Sequence, residues 1–142
     1  MTSTNNFTLQ VGVKILLKNK AGKYLLLRRS EKKYPDISNR WDIVGGRIDP
    51  GKPLLENLKR EVEEETGLKL LDGAKLAAAQ DILRNQGQHI VRLTYIGKAS
   101  GKFELDTNEN DEYKWYSWDE LVKLKDLDIY FKELIKKGII KK

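Results

Sequence analysis

Gly45-Gly-Arg-Ile-Asp-Pro-Gly-Lys-Pro-Leu-Leu-Glu-Asn-Leu-Lys-Arg-Glu-Val-Glu-Glu-Glu-Thr-Gly-Leu68 is the stretch on which the fold turns. Pro53 suits the first turn of a helix, no glycine or proline interrupts residues 54–66, and Gly67 suits the helix end. The spacing therefore predicts a helix from near Pro53 to Gly67. At about 100° per residue, Leu55, Leu58 and Val62 fall on one stripe, and Glu61, Glu64 and Glu65 form an adjacent arc. Acids three and four residues apart repel one another. A divalent cation would offset that repulsion, because magnesium takes hard oxygen ligands shared among carboxylates, waters and phosphates. The alternative is a solvated, helix-favouring face in which Arg60 pairs with Glu56 and Glu64.

Upstream, Val11–Leu17 and Tyr24–Leu27 are short apolar runs joined by Asn19-Lys-Ala-Gly22, the pattern of two strands and a hairpin turn. Glu31–Arg40 has a loop composition, and Trp41–Val44 resumes an extended pattern that stops at Gly45-Gly46. Downstream, Lys75–Leu83 and Ile90–Lys98 read as strands around the turn Asn85-Gln-Gly-Gln88, with a further short strand at Tyr113–Ser117. Leu121, Leu124, Leu127, Phe131, Leu134 and Ile135 lie near helical spacing, so one or two helices close the chain. The mixture is α/β or α+β, and the pattern leaves the strand order open.

The 142 residues, 39% of them hydrophobic, suit one domain covering residues 1–142. No apolar run approaches the length of a membrane span, and the N-terminal MTSTNNFTLQ has neither the basic start nor the apolar stretch of a secretory signal. With no cysteine, the expected location is cytoplasmic, and disulfides, thiolate metal sites and cysteine nucleophiles are excluded. The single histidine, His89, argues against histidine-rich zinc sites and receives no role. Chemistry must rest on carboxylates. The net charge of +6 is scattered, as at Lys32-Lys33 and Lys136-Lys137, which suits a solvated surface that attracts anionic small substrates.

The quoted string resembles the Nudix box over residues 46–68. Gly46 opens the match, and Arg60, Glu61, Val62, Glu64, Glu65, Gly67 and Leu68 complete it. So many fixed spacings make the motif specific. One position departs: Lys52 stands where the family has its first box glutamate, which supports the box arginine and the metal shell, and Asp49 or Glu56 is expected to substitute. Trp41-Asp-Ile-Val-Gly-Gly46 resembles the strand that leads into the box, with Val44 in place of a common proline. Glu109-Asn-Asp-Glu-Tyr-Lys-Trp115, followed by Ser-Trp-Asp-Glu-Leu121, resembles the family's later acidic loop, strand and short helix.

The resemblance implies a Nudix-like α/β/α sandwich, a mixed sheet flanked by helices. It implies a metal-dependent hydrolase cleaving the pyrophosphate bond of a nucleoside diphosphate linked to another moiety, with Mg²⁺, or Mn²⁺ as substitute. By the same likeness Gly45 (through its carbonyl), Glu61, Glu64, Glu65 and Glu109 hold the metal, with Glu112 the second candidate for the downstream acid. Glu61 serves as base or orients water, and Arg60 orients the glutamates. Arg28, Arg29, Tyr34 and Trp41 are expected substrate contacts, because guanidinium groups pair with phosphates and aromatic faces stack on bases; Glu112 is grouped with them. Two other readings stay open: a pyrophosphohydrolase acting on nucleoside triphosphates, oxidised nucleotides or RNA 5′ ends, and a non-catalytic nucleotide-binding module, which Lys52 would favour. Many such proteins pair up, so a homodimer is compatible with the sequence.

Overall fold

The computed structural model describes residues 6–142; residues 1–5 of the stretch read for a secretory signal lie outside them. In chain order the elements are β1 Thr8–Leu17, β2 Tyr24–Arg29, β3 Trp41–Asp42, β4 Val44–Arg47, α1 Leu54–Thr66, β5 Lys69–Leu70, β6 Lys75–Ile82, β7 Gln88–Gly97, β8 Ala99–Ser100, β9 Asn110–Tyr116, α2 Trp118–Val122 and α3 Ile129–Lys136. They form a four-stranded sheet in the order β4-β1-β7-β6, a three-stranded sheet β3-β2-β9 and a two-stranded pair β5-β8. β1 and β7 run parallel and their neighbours antiparallel, so the central sheet is mixed.

Period-two alternation divides the core into two layers. On one side Val13, Ile15, Leu17, Leu25 and Leu27 meet Leu58 and Val62 of α1. On the other, Leu16, Tyr24 and Leu26 meet Leu121 of α2 and Phe131 and Leu134 of α3. The result is the α/β/α sandwich that the sequence implied, each fully buried leucine contributing about 1.5–3 kcal/mol. No helix among the described residues is long and apolar enough to cross a membrane.

Helix α1 starts beside Pro53 at the N-cap and ends at Gly67, whose φ of 70° and N–H bond to the Glu63 carbonyl close the last turn. Its apolar stripe differs from the expected one. Leu55 is exposed, while Asn57 and Thr66 join Leu58 and Val62 on the buried face. Asn57 is buried because its amide anchors the preceding loop: Oδ1 accepts the Asp49 N–H at 2.7 Å, and Nδ2 donates to the carbonyls of Lys52 and Pro53 at 3.1 Å.

Two strand expectations are corrected. The turn at Asn19–Gly22 forms, with Asn19 N–H bonded to the Lys23 carbonyl, but β1 and β2 pair only at the Lys18–Tyr24 bridge before entering different sheets. Trp41–Val44 is also not one strand. The Asp42 carboxylate accepts the Ile43 N–H at 2.7 Å, removing a ladder donor, and the chain passes there from the β2 sheet to the β1 sheet. The closing helices are capped by their own side chains: Ser117 and Glu120 form a capping box on α2, and Asp128 accepts the N–H groups of Tyr130 and Phe131 on α3.

Candidate active site

Where β4 leaves the sheet, the chain runs beneath the acidic face of α1 and opposite the loop that enters β9. Between them lies a cleft of about 560 Å³ lined by Lys14, Arg29, Tyr34, Gly45, Gly46, Arg47, Glu61, Glu64, Glu65, Glu109 and Asn110 among others. The two glycines make its floor. Gly45 adopts φ 140°, and a Cβ there would stand 2.0 Å from the Val13 carbonyl oxygen. A Cβ on Gly46 would stand 2.7 Å from Glu61 Oε2, so the bare backbone admits a carboxylate into van der Waals contact.

Each glutamate of the arc has its own setting. Glu65 Oε1 accepts the Gly45 N–H at 2.7 Å and Oε2 accepts from Asn110 Nδ2 at 3.4 Å; burial pushes this carboxyl up to about 7 while the charge of Lys14 pulls it back. Glu61, with 13% of its side chain exposed, is raised by burial against the pull of Arg60, whose Nη1 donates to it at 2.9 Å. Glu64 is open to solvent and accepts from the same Arg60 nitrogen at 3.2 Å. Arg60 also donates to the Arg47 carbonyl and to Asn57 Oδ1, and its Nε lies 3.3 Å from Asp49 Oδ2, a contact that counts as an ion pair though not as an aligned hydrogen bond. Asp49 therefore pairs with Arg60, whereas neither Lys52 nor Glu56, both exposed, forms an ion pair or hydrogen bond with its side chain.

Glu61, Glu64, Glu65 and the Gly45 carbonyl are hard oxygen donors facing one cleft, and the family to which this motif belongs depends in general on divalent metal. Two half-buried carboxylates held above the ordinary range are groups that a cation would relieve. Among the described residues no three acids already converge as a finished metal cluster. Arg60 draws Glu61 and Glu64 to itself, and Lys14 takes the Gly45 carbonyl. The donor set fits a magnesium-class cation; its closing depends on those local cations giving way.

Of the remaining sequence candidates, Glu109 lines the cleft but is engaged by the β2–β3 loop. It accepts from Lys33 Nζ and, at 2.5 Å, from the Tyr34 hydroxyl; burial pushes its carboxyl up, and the Lys33 and Tyr34 bonds hold it below its ordinary value. Arg29 lines the cleft with its guanidinium 5.4 Å from the Tyr34 ring centre. The structure does not bring Arg28, Trp41 or Glu112 there. Arg28 is bound to Asp111 and Glu31, Trp41 packs edge-to-face on Tyr116 in the core, and Glu112 sits exposed on β9 opposite Arg28. His89 bonds Asp81 at 2.8 Å, away from the cleft.

Residues that sequence reasoning passed over are Lys14, Asn110 and a buried trio below a second cavity. That cavity, about 600 Å³, shares Lys14, Arg29, Asp42, Gly46 and Arg47 with the first. In its floor Arg92 meets Asp42 and Asp128, each at 3.0 Å. Burial acts to raise Asp42, but the charges of Arg92 and Lys14 hold it far below its ordinary value; Asp128 is raised by burial and by the Asp42 charge. For Lys14 a signal existed: a single charge set within a strand of buried apolar residues, between Val13 and Ile15.

The NUDIX domain model matches residues 8–137 of the chain. A putative 8-oxo-dGTP diphosphatase of Bacillus subtilis is 30% identical over 107 residues, covering 75% of this chain and 65% of that relative, just under two thirds of its length. An RNA pyrophosphohydrolase of Rhodopseudomonas palustris is 26% identical over 151 residues, covering 91% of this chain and 87% of the relative. The crystal structure of a MutT protein from Methanosarcina mazei superposes with a TM-score of 0.78 at 28% identity, covering 92% of this chain and 93% of that one.

Proposed function

This chain belongs to the Nudix family of hydrolases, and from that membership we propose that it cleaves the pyrophosphate bond of a nucleotide with Mg²⁺, for which Mn²⁺ substitutes. The observation that carries the proposal is the Glu65 carboxylate, held between the Gly45 N–H and Asn110 on a face it shares with Glu61. Glu61, Glu64, Glu65 and the Gly45 carbonyl hold the cation. When bound, it neutralises phosphoryl oxygens and acidifies water. Arg60 positions Glu61 and Glu64 through charge-assisted bonds. Glu61 takes the proton of the attacking water as the new P–O bond forms and the bridging P–O bond breaks. Arg29 and Arg47, at the junction of the two cavities, hold substrate phosphates.

For the substrate we infer a nucleoside triphosphate, oxidised purine nucleotides included, rather than a nucleoside diphosphate joined to another group. Support comes from the relatives named as 8-oxo-dGTP diphosphatases and as a nucleoside triphosphatase, and from a second cavity large enough for a nucleoside beside the acids. The RNA pyrophosphohydrolases among the relatives favour a triphosphate at an RNA 5′ end as the second reading. The lack of cysteine supports a cytoplasmic setting.

The test is a panel of dGTP, 8-oxo-dGTP, 5′-triphosphate RNA, ADP-ribose and NADH, with Mg²⁺ or EDTA, scored by product identity. Nucleoside monophosphate and pyrophosphate released from a triphosphate, and only with metal, is the expected result. Turnover confined to ADP-ribose or NADH overturns the substrate assignment. Tight nucleotide binding with no turnover makes the chain a binding module.

A further inference from the structure

Lys14 is unusual for its place. It lies in β1 between Val13 and Ile15, both fully buried, and only 12% of its own side chain is exposed. A lysine so placed is retained only where its charge is used. Its ammonium makes three contacts of 3.2 Å: Asp42 Oδ2 and the carbonyls of Ile43 and Gly45. Asp42 has a second partner in Arg92, which reaches both oxygens of that carboxylate at 3.0 and 3.3 Å.

The other two contacts point toward the cleft. Gly45 gives its N–H to Glu65 and its carbonyl to Lys14, so one residue links the half-buried acid to the half-buried lysine. Arg60 pairs with Glu61 and Glu64 but not with Glu65. Lys14 is the charge that acts most strongly on Glu65. The positive charge nearest Glu65, which Arg60 does not reach, is therefore supplied by a strand.

We propose that Lys14 is a tethered counter-ion of the cleft, which competes with the divalent cation for the Gly45 carbonyl and so weakens the metal affinity of the free protein. The inference rests on the metal site assigned above. An ammonium and a dication cannot both lie against one carbonyl oxygen without strong repulsion. In the free protein the lysine holds that oxygen; substrate phosphates, arriving with their own charge, shift the balance toward the cation. Lys14 is a positioning residue: it sets what the cleft binds and touches no reacting atom.

The test is Mn²⁺ titration of the nucleotide-free protein, followed by electron paramagnetic resonance, on wild type, Lys14→Met, Lys14→Gln and Lys14→Arg, with folding checked by circular dichroism. Loss of the charge is expected to tighten Mn²⁺ binding on the order of tenfold, and Lys14→Arg to stay near wild type. A merely structural lysine gives the opposite sign, since a loosened β1 weakens the site. If Lys14→Met does not fold, Lys14→Gln, which keeps a donor for Ile43, decides in its place. Unchanged or weaker Mn²⁺ binding in the folded neutral variant, with wild type binding metal and turning over nucleotide, overturns this inference alone. Wild type that binds no Mn²⁺ and hydrolyses nothing overturns the metal site and this inference together.

Discussion

The backbone N–H of Gly45 donates to Oε1 of Glu65 at 2.7 Å, joining the first residue of the glycine pair to the last acid of the helical arc, 20 residues away. This bond fixes where α1 stands relative to β4. It depends on two conditions: a glycine whose backbone takes φ 140°, and a carboxylate turned inward along the cleft wall.

The two glycines should respond differently to an added methyl. In Gly45→Ala the new Cβ meets backbone, 2.0 Å from the Val13 oxygen and 2.7 Å from Lys14 Cα, in a conformation that alanine rarely adopts. A loss of about 3 kcal/mol or more is expected in urea denaturation. In Gly46→Ala the new Cβ meets only the mobile end of Glu61, so the protein folds while that carboxylate is displaced. Near-wild-type stability with kcat lowered roughly 10- to 100-fold is the expected pair of readings.

Burial raises Glu65 to about 7 in the folded chain from an ordinary 4.5, so without metal the folded state holds an extra proton between those values. The associated stability is fully present below about pH 4.5 and is lost as pH rises through about 7. Glu65→Gln, which can still accept from Gly45 through its amide oxygen, should abolish that dependence. Urea midpoints measured in EDTA on either side of this window, compared between wild type and variant, provide the check. Equal slopes would contradict the account.

Asp49 pairs with Arg60, Nε to Oδ2 at 3.3 Å. Asp49→Asn is expected to lower kcat by about tenfold, while stability changes by less than about 0.5 kcal/mol because the pair is solvent-exposed. Lys52→Glu should change kcat by less than about threefold, since Asn57 and Asp49 already occupy the sites such a glutamate would serve. Steady-state kinetics on the two variants separates the contributions.

Arg92 bridges Asp42 and Asp128 where all three are buried. Arg92→Met leaves Asp128 without its ion-pair partner and Asp42 with Lys14 alone, a change expected to cost about 3–5 kcal/mol by thermal or chemical denaturation. A variant as stable as wild type would show that the trio is not needed for folding.

The range of each interaction decides how much of the molecule is legible in its sequence. Helix α1 is legible because its signals are local: Pro53 and Gly67 bracket it, and the acid arc repeats at helical spacing. Strand order is not, because β1 takes β7 as a parallel neighbour about 80 residues away and nothing in either strand names the other. Trp41 and Glu112 are expected near substrate because a single residue does not reveal its sheet face; Trp41 lies just before the switch between sheets at Ile43, and Glu112 pairs in register with Arg28 on the far side. Asn110 and Lys14 escape notice since their contacts, to Glu65 and to Gly45, span 45 and 31 residues.

The most direct test of the central claim is anomalous diffraction from crystals soaked in Mn²⁺ and a non-hydrolysable nucleoside triphosphate analogue. The account predicts an anomalous peak bounded by the Gly45 carbonyl and the carboxylates of Glu61, Glu64 and Glu65, with the analogue's phosphates completing the shell and Lys14 withdrawn from Gly45. A peak elsewhere, or nucleotide bound while the acid face of α1 holds no ion and Arg60 keeps both of its glutamates, would contradict it.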